Sequence, residues 1–163
     1  MDKPIQDAIN EQIAAELHSS YLYLAMSAHF MEQNYNGFGQ WMRAQAEEEL
    51  QHAMRLYEYL LDRGGHVKLG AVQAPPEEFG TPLEIFEATL AHEREVTASI
   101  HAIYELAREH KDFATEIELQ WFVTEQVEEE DTTELAVEQL ARAGSDVSAL
   151  LMLDRQFGQR EGS

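Results

Sequence analysis

The amino-acid sequence predicts an all-α protein, a bundle of four long helices followed by a short fifth helix. Residues that interrupt helices concentrate in four stretches, NYNGFG at 34–39, RGGHVKLGAVQAPPEEFGTP at 63–82, HKDF at 110–113 and RAGSD at 142–146. In each long segment between them, one set of residues recurs at alternating steps of three and four, which is typical of helices packed in a bundle. The length of 163 residues suits one domain.

The helix boundaries follow from these interruptions. Ser145 or Asp146 can cap the amino end of the last helix. A single domain is expected over 1–163, with bundle helices at about 5–33, 37–63, 82–109 and 112–143 and the fifth helix at about 146–157.

The recurring residues of each helix should face the interior of the bundle. The expected inward-facing residues are Ile9, Ile13, Glu16, Ser20, Tyr23, Ser27 and Phe30 in the first helix, Phe38, Met42, Gln45, Glu49, His52, Leu56 and Tyr59 in the second, Phe86, Thr89, Glu93, Val96, Ile100 and Ile103 in the third, and Leu119, Phe122, Gln126, Glu129, Thr133, Ala136 and Leu140 in the fourth. Each set is apolar toward its ends and polar near its middle. The polar residues therefore form a layer.

The height of this layer can be estimated from the rise of an α-helix. At about 1.5 Å per residue, Glu16 lies about 28 Å before the first turn and Glu49 about 21 Å beyond it, so the two meet if these helices are antiparallel. Glu93 and Glu129 lie at similar distances from the second turn. Four carboxylates are thus expected at one level of the bundle.

The segment 64–81 joins the two helix pairs. It contains Pro75 and Pro76, has no helical period, and could span at most about 60 Å when extended. We interpret it as a long crossover that allows the second and third helices to run parallel.

Four buried carboxylates would repel one another unless cations or protons neutralise them. Two divalent cations would balance the four charges, and His52, three residues after Glu49, adds a neutral nitrogen on the same helix face. Oxygen and nitrogen donors without sulfur suit Fe, Mn or Zn.

The sequence has 31 acidic and 11 basic residues, a net charge of −20, which argues against nucleic acid or an anionic membrane as a partner.

Simpler interpretations exist for several of these residues. His52 alone would more often be a hydrogen-bonded core histidine, and the run EEED at 128–131 would usually be a solvated face, although the helix period turns Glu129 inward. Tyr23, Trp121 and Phe122 are most simply core aromatics, with Tyr23 also within reach of the carboxylate layer. The six other histidines show no comparable pattern and are expected at the surface: His18, His29, His66, His92, His101 and His110.

Several segments resemble the helix motifs of the ferritins, specifically the bacterial and archaeal non-haem ferritins. They are ELHSSYLYLAMS, FGQWMRAQAEEELQHAM, RGGHVKL, AHERE and LQWFVTEQVEEE, in the order and spacing of that family. The resemblance implies the ferritin-like four-helix bundle with a long crossover between the second and third helices. Ferritin-like di-iron proteins can carry two Glu-x-x-His motifs, whereas Gln126-Val-Glu-Glu129 stands in the fourth helix here.

The resemblance also implies a set of site residues. Glu16, Glu49 and His52 would hold one iron, Glu49, Glu93 and Glu129 would hold the second, and Gln126 would lie beside the oxygen-binding face of this ferroxidase centre. A third iron site is implied at Glu48, Glu125, Glu128 and Glu129. The expected activity is oxidation of Fe(II) by dioxygen or hydrogen peroxide, with storage of the ferric mineral inside a hollow shell of about 24 copies.

Related families fit the sequence less well. Bacterioferritins carry a haem-ligating Met where this sequence has Leu50, and a His where it has Glu129, so no haem is expected. Rubrerythrins need cysteines, which this chain lacks. The mini-ferritins that protect DNA lack a fifth helix.

Two other functional classes stay open at this stage. One is a di-iron peroxidase or oxygenase acting on a small organic substrate, which would need a cavity beside the metals. The other is a helical interaction protein with an incidental metal. The acidic, amphipathic N-terminus and the absence of long apolar runs make the cytoplasm the expected location.

Overall fold

The computed structural model of the protein describes residues 1–159, and these form five α-helices. The helices are α1 (Lys3–Glu32), α2 (Asn36–Asp62), α3 (Pro82–Glu109), α4 (Phe113–Ala143) and α5 (Val147–Phe157). The predicted fold class, a four-helix bundle with a crossover and a short fifth helix, is confirmed. α1 begins two residues earlier than the sequence predicts, and residues 160–163 of the expected domain lie outside the described residues. No helix within residues 1–159 is long and apolar enough to cross a membrane.

Hydrogen bonds between helices fix their directions. Ser20 Oγ donates to Ala46 O at 2.6 Å, and Ser27 Oγ, further along α1, donates to Gly39 O, which lies earlier in α2, at 2.7 Å. α1 and α2 are therefore antiparallel.

The same reasoning applies to α1 and α3. Ser99 Oγ donates to Gln12 Oε1, whereas Tyr23, later in α1, donates to Glu93, earlier in α3. Because α1 is antiparallel to both α2 and α3, these two helices run parallel, as the crossover interpretation requires.

Three of the helix starts are stabilised in different ways. Thr81 and Glu84 form a capping box at α3, and Asp146 accepts from the backbone of Ala149 at α5, one of the two caps that the sequence predicts. α2 makes no cap hydrogen bond with its own preceding residue. Instead, Asp154 Oδ1 on α5 accepts from Phe38 N at 2.8 Å.

The approach of α5 to α2 depends on glycine. A Cβ atom at Gly37 would lie 1.5 Å from Asp154 O. Only a residue without a side chain fits there, so Gly37 permits the fifth helix to cover this end of the bundle.

The interior consists of two apolar clusters separated by the polar layer. The first cluster includes Phe30, Phe38, Phe86 and Phe157, and the second is aliphatic except for Phe122. All of the expected inward-facing residues on α3 and α4 are buried.

Two expected inward-facing residues, Ser20 and Tyr59, are only half-buried, and their neighbours Ser19 and Leu60 are fully buried instead. A straight helix has 3.6 residues per turn, so its inner face drifts by about 20° per heptad relative to the strict repeat. The inward-facing position is therefore shifted by one residue from the prediction, in α1 at Ser20 and in α2 at Tyr59.

Candidate metal centre

The polar layer places a carboxylate from each bundle helix at the centre of the molecule. The exposed fractions are 1% for Glu16, 0% for Glu49 and Glu93, and 7% for Glu129, and His52 is 5% exposed. Glu16, Glu49 and His52 each offer a donor atom within 4.8 Å of the others. Glu49, Glu93 and Glu129 form a second such group. Glu49 is common to both.

Three glutamines and a tyrosine orient these carboxylates. Gln12 Nε2 donates to Glu16 at 2.8 Å, Gln45 Nε2 to Glu129 at 2.7 Å, and Gln126 Nε2 to Glu93 at 3.1 Å. The Tyr23 hydroxyl donates to the other oxygen of Glu93. These are the donors expected around carboxylates that must keep a fixed position.

Glu49 differs from the other carboxylates of the layer. Both of its oxygens are buried and have no hydrogen-bond partner among residues 1–159, and the same is true of Glu16 Oε2. Buried acceptors without partners are costly, and metal ions can satisfy them. The residues present thus fit two divalent cations, with Glu49 able to contact both.

Burial changes the electrostatics of the layer. It is the largest cause that raises the pKa of Glu16 and Glu49 well above the usual value, and nearby carboxylates raise both further. Burial also raises the pKa of Glu93, and the pKa of Glu129 is raised to about 7, first by burial and then by the charge of Glu93. Protons therefore occupy part of the layer at neutral pH when no cation is bound.

His52 is held between the carboxylates and two aromatic rings. Its Nδ1 lies 3.5 Å from Glu49 Oε2, and its ring packs edge-on against Trp121 and Phe122 at centroid distances of 5.3 and 6.0 Å. The Arg55 guanidinium lies 4.1 Å over the Trp121 ring. Trp121 is half-buried, at the edge of the core rather than inside it.

Three of the four residues of the expected third iron site line one cavity beside His52, and the fourth, Glu129, belongs to the carboxylate layer. This cavity has a volume of about 450 Å³ and includes Glu48, Glu125 and Glu128. Glu48 is buried, Glu125 half-buried and Glu128 exposed. In residues 1–159, only the two groups that share Glu49 bring three donor atoms within 4.8 Å of one another. The residues of the expected third site lie near one another, but their donor atoms do not converge in this way.

The orienting role of Gln12 was not predicted, and Gln45 was predicted only as an inward-facing residue. Gln12 lies four residues before Glu16, the carboxylate that it contacts, so this spacing could have revealed its role, whereas Gln45 reaches Glu129 on another helix. The histidines also differ from expectation, because His18, His29 and His92 are half-buried rather than at the surface. Burial, and secondly His18, lowers the pKa of His92.

Comparisons with known proteins identify the family of this chain. Residues 6–143 match the ferritin family, described as a ferritin-like domain. A protein from Bacteroides fragilis named bacterial non-heme ferritin is 42% identical over 160 residues, covering 98% of this chain and 99% of that one. The same name is carried by a Staphylococcus epidermidis protein that is 39% identical over 98% of this chain and 96% of its own. The open pore ferritin of Archaeoglobus fulgidus superposes with a TM-score of 0.97 at 46% identity, over 99% of both chains. The chain belongs to the ferritin family.

Proposed function

We propose that this protein stores iron and detoxifies it as a non-haem ferritin, oxidising Fe(II) to Fe(III) at the buried carboxylate layer. The observation that carries the proposal is the pair of unpartnered oxygens on Glu49, which belongs to both donor groups. Glu16, Glu49 and His52 would hold one Fe(II), and Glu49, Glu93 and Glu129 the other. Iron is the substrate in this reaction, not a resident cofactor.

The layer suits a two-electron oxidation. Each Fe(II) gives up one electron, so two ions held together can reduce dioxygen to hydrogen peroxide, or peroxide to water, without releasing a radical. Gln126 and Tyr23 both contact Glu93 and would fix its position as the charge of the iron increases. A set of four carboxylates and one imidazole binds iron with moderate affinity, which suits ions that must leave again.

Oxidised iron would next pass to the third site and then to the store. Glu48, Glu125 and Glu128 lie in the cavity next to His52, and Glu129 belongs to the layer itself. Their range from buried to exposed gives a path of increasing hydration. Hydrated carboxylates bind Fe(III) less tightly than dry ones, so this path favours release.

Storage requires an enclosed assembly, and we infer a shell of about 24 copies in the cytoplasm, without haem. The exposed apolar residues Val147, Leu151 and Met152 on α5 give that helix a surface suited to contacts between subunits.

An anaerobic Fe(II) titration followed by exposure to air tests the proposal. We expect two tightly bound Fe(II) per subunit, rapid oxidation on adding oxygen, and then mineral growth to far more than two ions per subunit inside a shell seen by sedimentation. A peroxidase or oxygenase would oxidise its two ions once and take up no more. Binding without oxidation would indicate an incidental metal site and overturn the proposal.

A further inference from the structure

Two histidines face each other in the groove between α1 and α3, outside the carboxylate layer. The ring centroids of His18 and His92 are 6.0 Å apart, with the planes inclined at 63°. A divalent metal bonded to one nitrogen of each ring, at about 2.1 Å, separates two imidazole centroids by roughly 5 to 6.5 Å. The centroid distance of this pair lies within that range, so the spacing is compatible with a shared ion.

The hydrogen bonds around His92 are compatible with the tautomer that a metal ion needs. Ser19 Oγ lies 3.1 Å from Ala15 O and 2.7 Å from His92 Nε2, so when the serine proton is directed to Ala15 O the imidazole donates from Nε2. The proton of a neutral His92 is then on Nε2, and its Nδ1 carries the lone pair that a metal needs.

His18 has the complementary property. Its Nδ1 is buried and has no hydrogen-bond partner in the part of the chain that the structure describes. A buried ring nitrogen without a partner is costly in a protein, and a bound cation would satisfy it. Each ring thus has a nitrogen that is not engaged within the chain.

We propose that His18 and His92 together bind a divalent transition-metal ion, and that this site captures Fe(II) for the carboxylate layer. Two imidazoles completed by water suit Fe(II), Co(II) or Zn(II) better than Ca²⁺ or Mg²⁺, which prefer oxygen donors. The capture role rests on the proposed ferroxidase function, whereas the binding itself does not.

The surroundings fit a site that supplies the layer. His92 precedes Glu93 directly, and its ring packs at 5.8 Å against Tyr23, whose hydroxyl reaches Glu93. Glu95, exposed one turn along α3, acts electrostatically on His92 and favours a cation there. The cavity of Glu48, Glu125 and Glu128 is lined by residues of α2 and α4, so the two sites occupy different grooves of the bundle. One groove would admit iron, and the other would release it.

Anomalous diffraction from crystals soaked in stoichiometric Co(II) tests the binding. We expect one peak within about 2.2 Å of a nitrogen on each of His18 and His92, and separate peaks at the layer. Peaks at the layer alone would overturn the inference and leave the proposed function standing. A histidine peak without layer peaks would support the inference and contradict the proposed function.

Kinetics of the whole shell test the capture role. His18→Gln should raise the Fe(II) concentration at half-maximal initial rate at least about threefold, with the maximal rate within about twofold, because the layer itself is unchanged. His101→Gln, an exposed histidine on α3, serves as the matched control and should leave both values unchanged. An unchanged half-saturation in His18→Gln would overturn the capture role.

Discussion

The middle of the bundle and its two ends contain the same four helices but follow opposite principles. At the ends, side chains such as Phe30, Phe38 and Leu60 are fully buried among other apolar groups, which stabilises the fold. In the middle, Glu49 and Glu93 are equally buried, yet their charges and lost hydration oppose folding. The comparison shows that burial alone does not identify stabilising residues. The ends provide the stability that allows the middle to hold a cation site.

The largest expected effect is the loss of Fe(II) oxidation when a carboxylate of the central layer is substituted. Glu49→Gln keeps the side-chain volume but removes the charge and the shared ligand. The initial rate of Fe(II) oxidation should fall more than about 100-fold, beyond the cost of altering a residue that only supports a ligand. The thermal midpoint of the apo protein at pH 7 should not fall, because a buried charge is removed.

Glu47→Gln is the matched control for this variant. Glu47 lies on the same helix, with a side chain that is 66% exposed in an ion pair with Arg43. It should oxidise iron at the original rate. Similar rates in both variants would show that the middle is not the reaction site.

Two adjacent leucines test the ends in the same manner. Leu60 is 0% exposed and Leu61 is 49% exposed. Leu60→Ala should lower the free energy of unfolding by about 2–5 kcal/mol, through lost burial and a cavity, and Leu61→Ala by less than about 1 kcal/mol. Urea unfolding measures both, and equal losses would contradict the division between inner and outer residues. Neither change should alter the oxidation rate per folded subunit.

A pH series distinguishes the middle from the ends by their charge. Because burial raises the pKa of Glu129 from 4.5 to about 7, the folded apo chain binds more protons than the unfolded chain between these values. The contribution of Glu129 to stability therefore falls as pH rises from 5 to 7, by up to about 1.4 kcal/mol for each pH unit. Thermal midpoints of the apo protein measure this trend, and Glu129→Gln should flatten it.

Iron binding reverses the direction of this pH dependence, since the ions bind to ionised carboxylates. Anaerobic Fe(II) binding at pH 6 should release protons, which calorimetry in buffers of different ionisation enthalpy detects. Binding without proton release would mean that the carboxylates are more hydrated than their burial indicates.

Much of the fold and the layer could be predicted from the sequence. Helical periodicity places certain positions in the interior of the bundle, whereas a charged side chain at the same position favours solvent. Glu16, Glu49, Glu93 and Glu129 stand out since acids are rare on an inner face. The partners of these acids could not be predicted equally well. The periodicity does not show that Gln45 on α2 reaches Glu129 on α4, because contacts between helices depend on rotation and tilt.

The half-buried state of His18 and His92 escaped prediction for a related reason. Neither residue lies in the inward-facing set, and the groove between α1 and α3 is formed by flanking positions of both helices. Their proximity results from the antiparallel alignment of two helices that are far apart in the chain. The periodicity of a single helix does not indicate that these two residues lie close together.

The smallest expected effect concerns a polar contact that joins α5 to the end of the bundle. Asp154 caps α2 from another helix, at an amino end where a negative charge also interacts favourably with the helix dipole. Asp154→Ala should therefore lower the free energy of unfolding by about 1 kcal/mol, and Asp154→Asn by less, since the amide oxygen still accepts. Asp62→Ala is the matched control, because this exposed aspartate is the last residue of α2 and its charge opposes the dipole there. Its removal should leave stability unchanged or raise it by a few tenths of a kcal/mol. If both variants lost the same stability, the contribution of Asp154 would be general packing of α5 and not a cap.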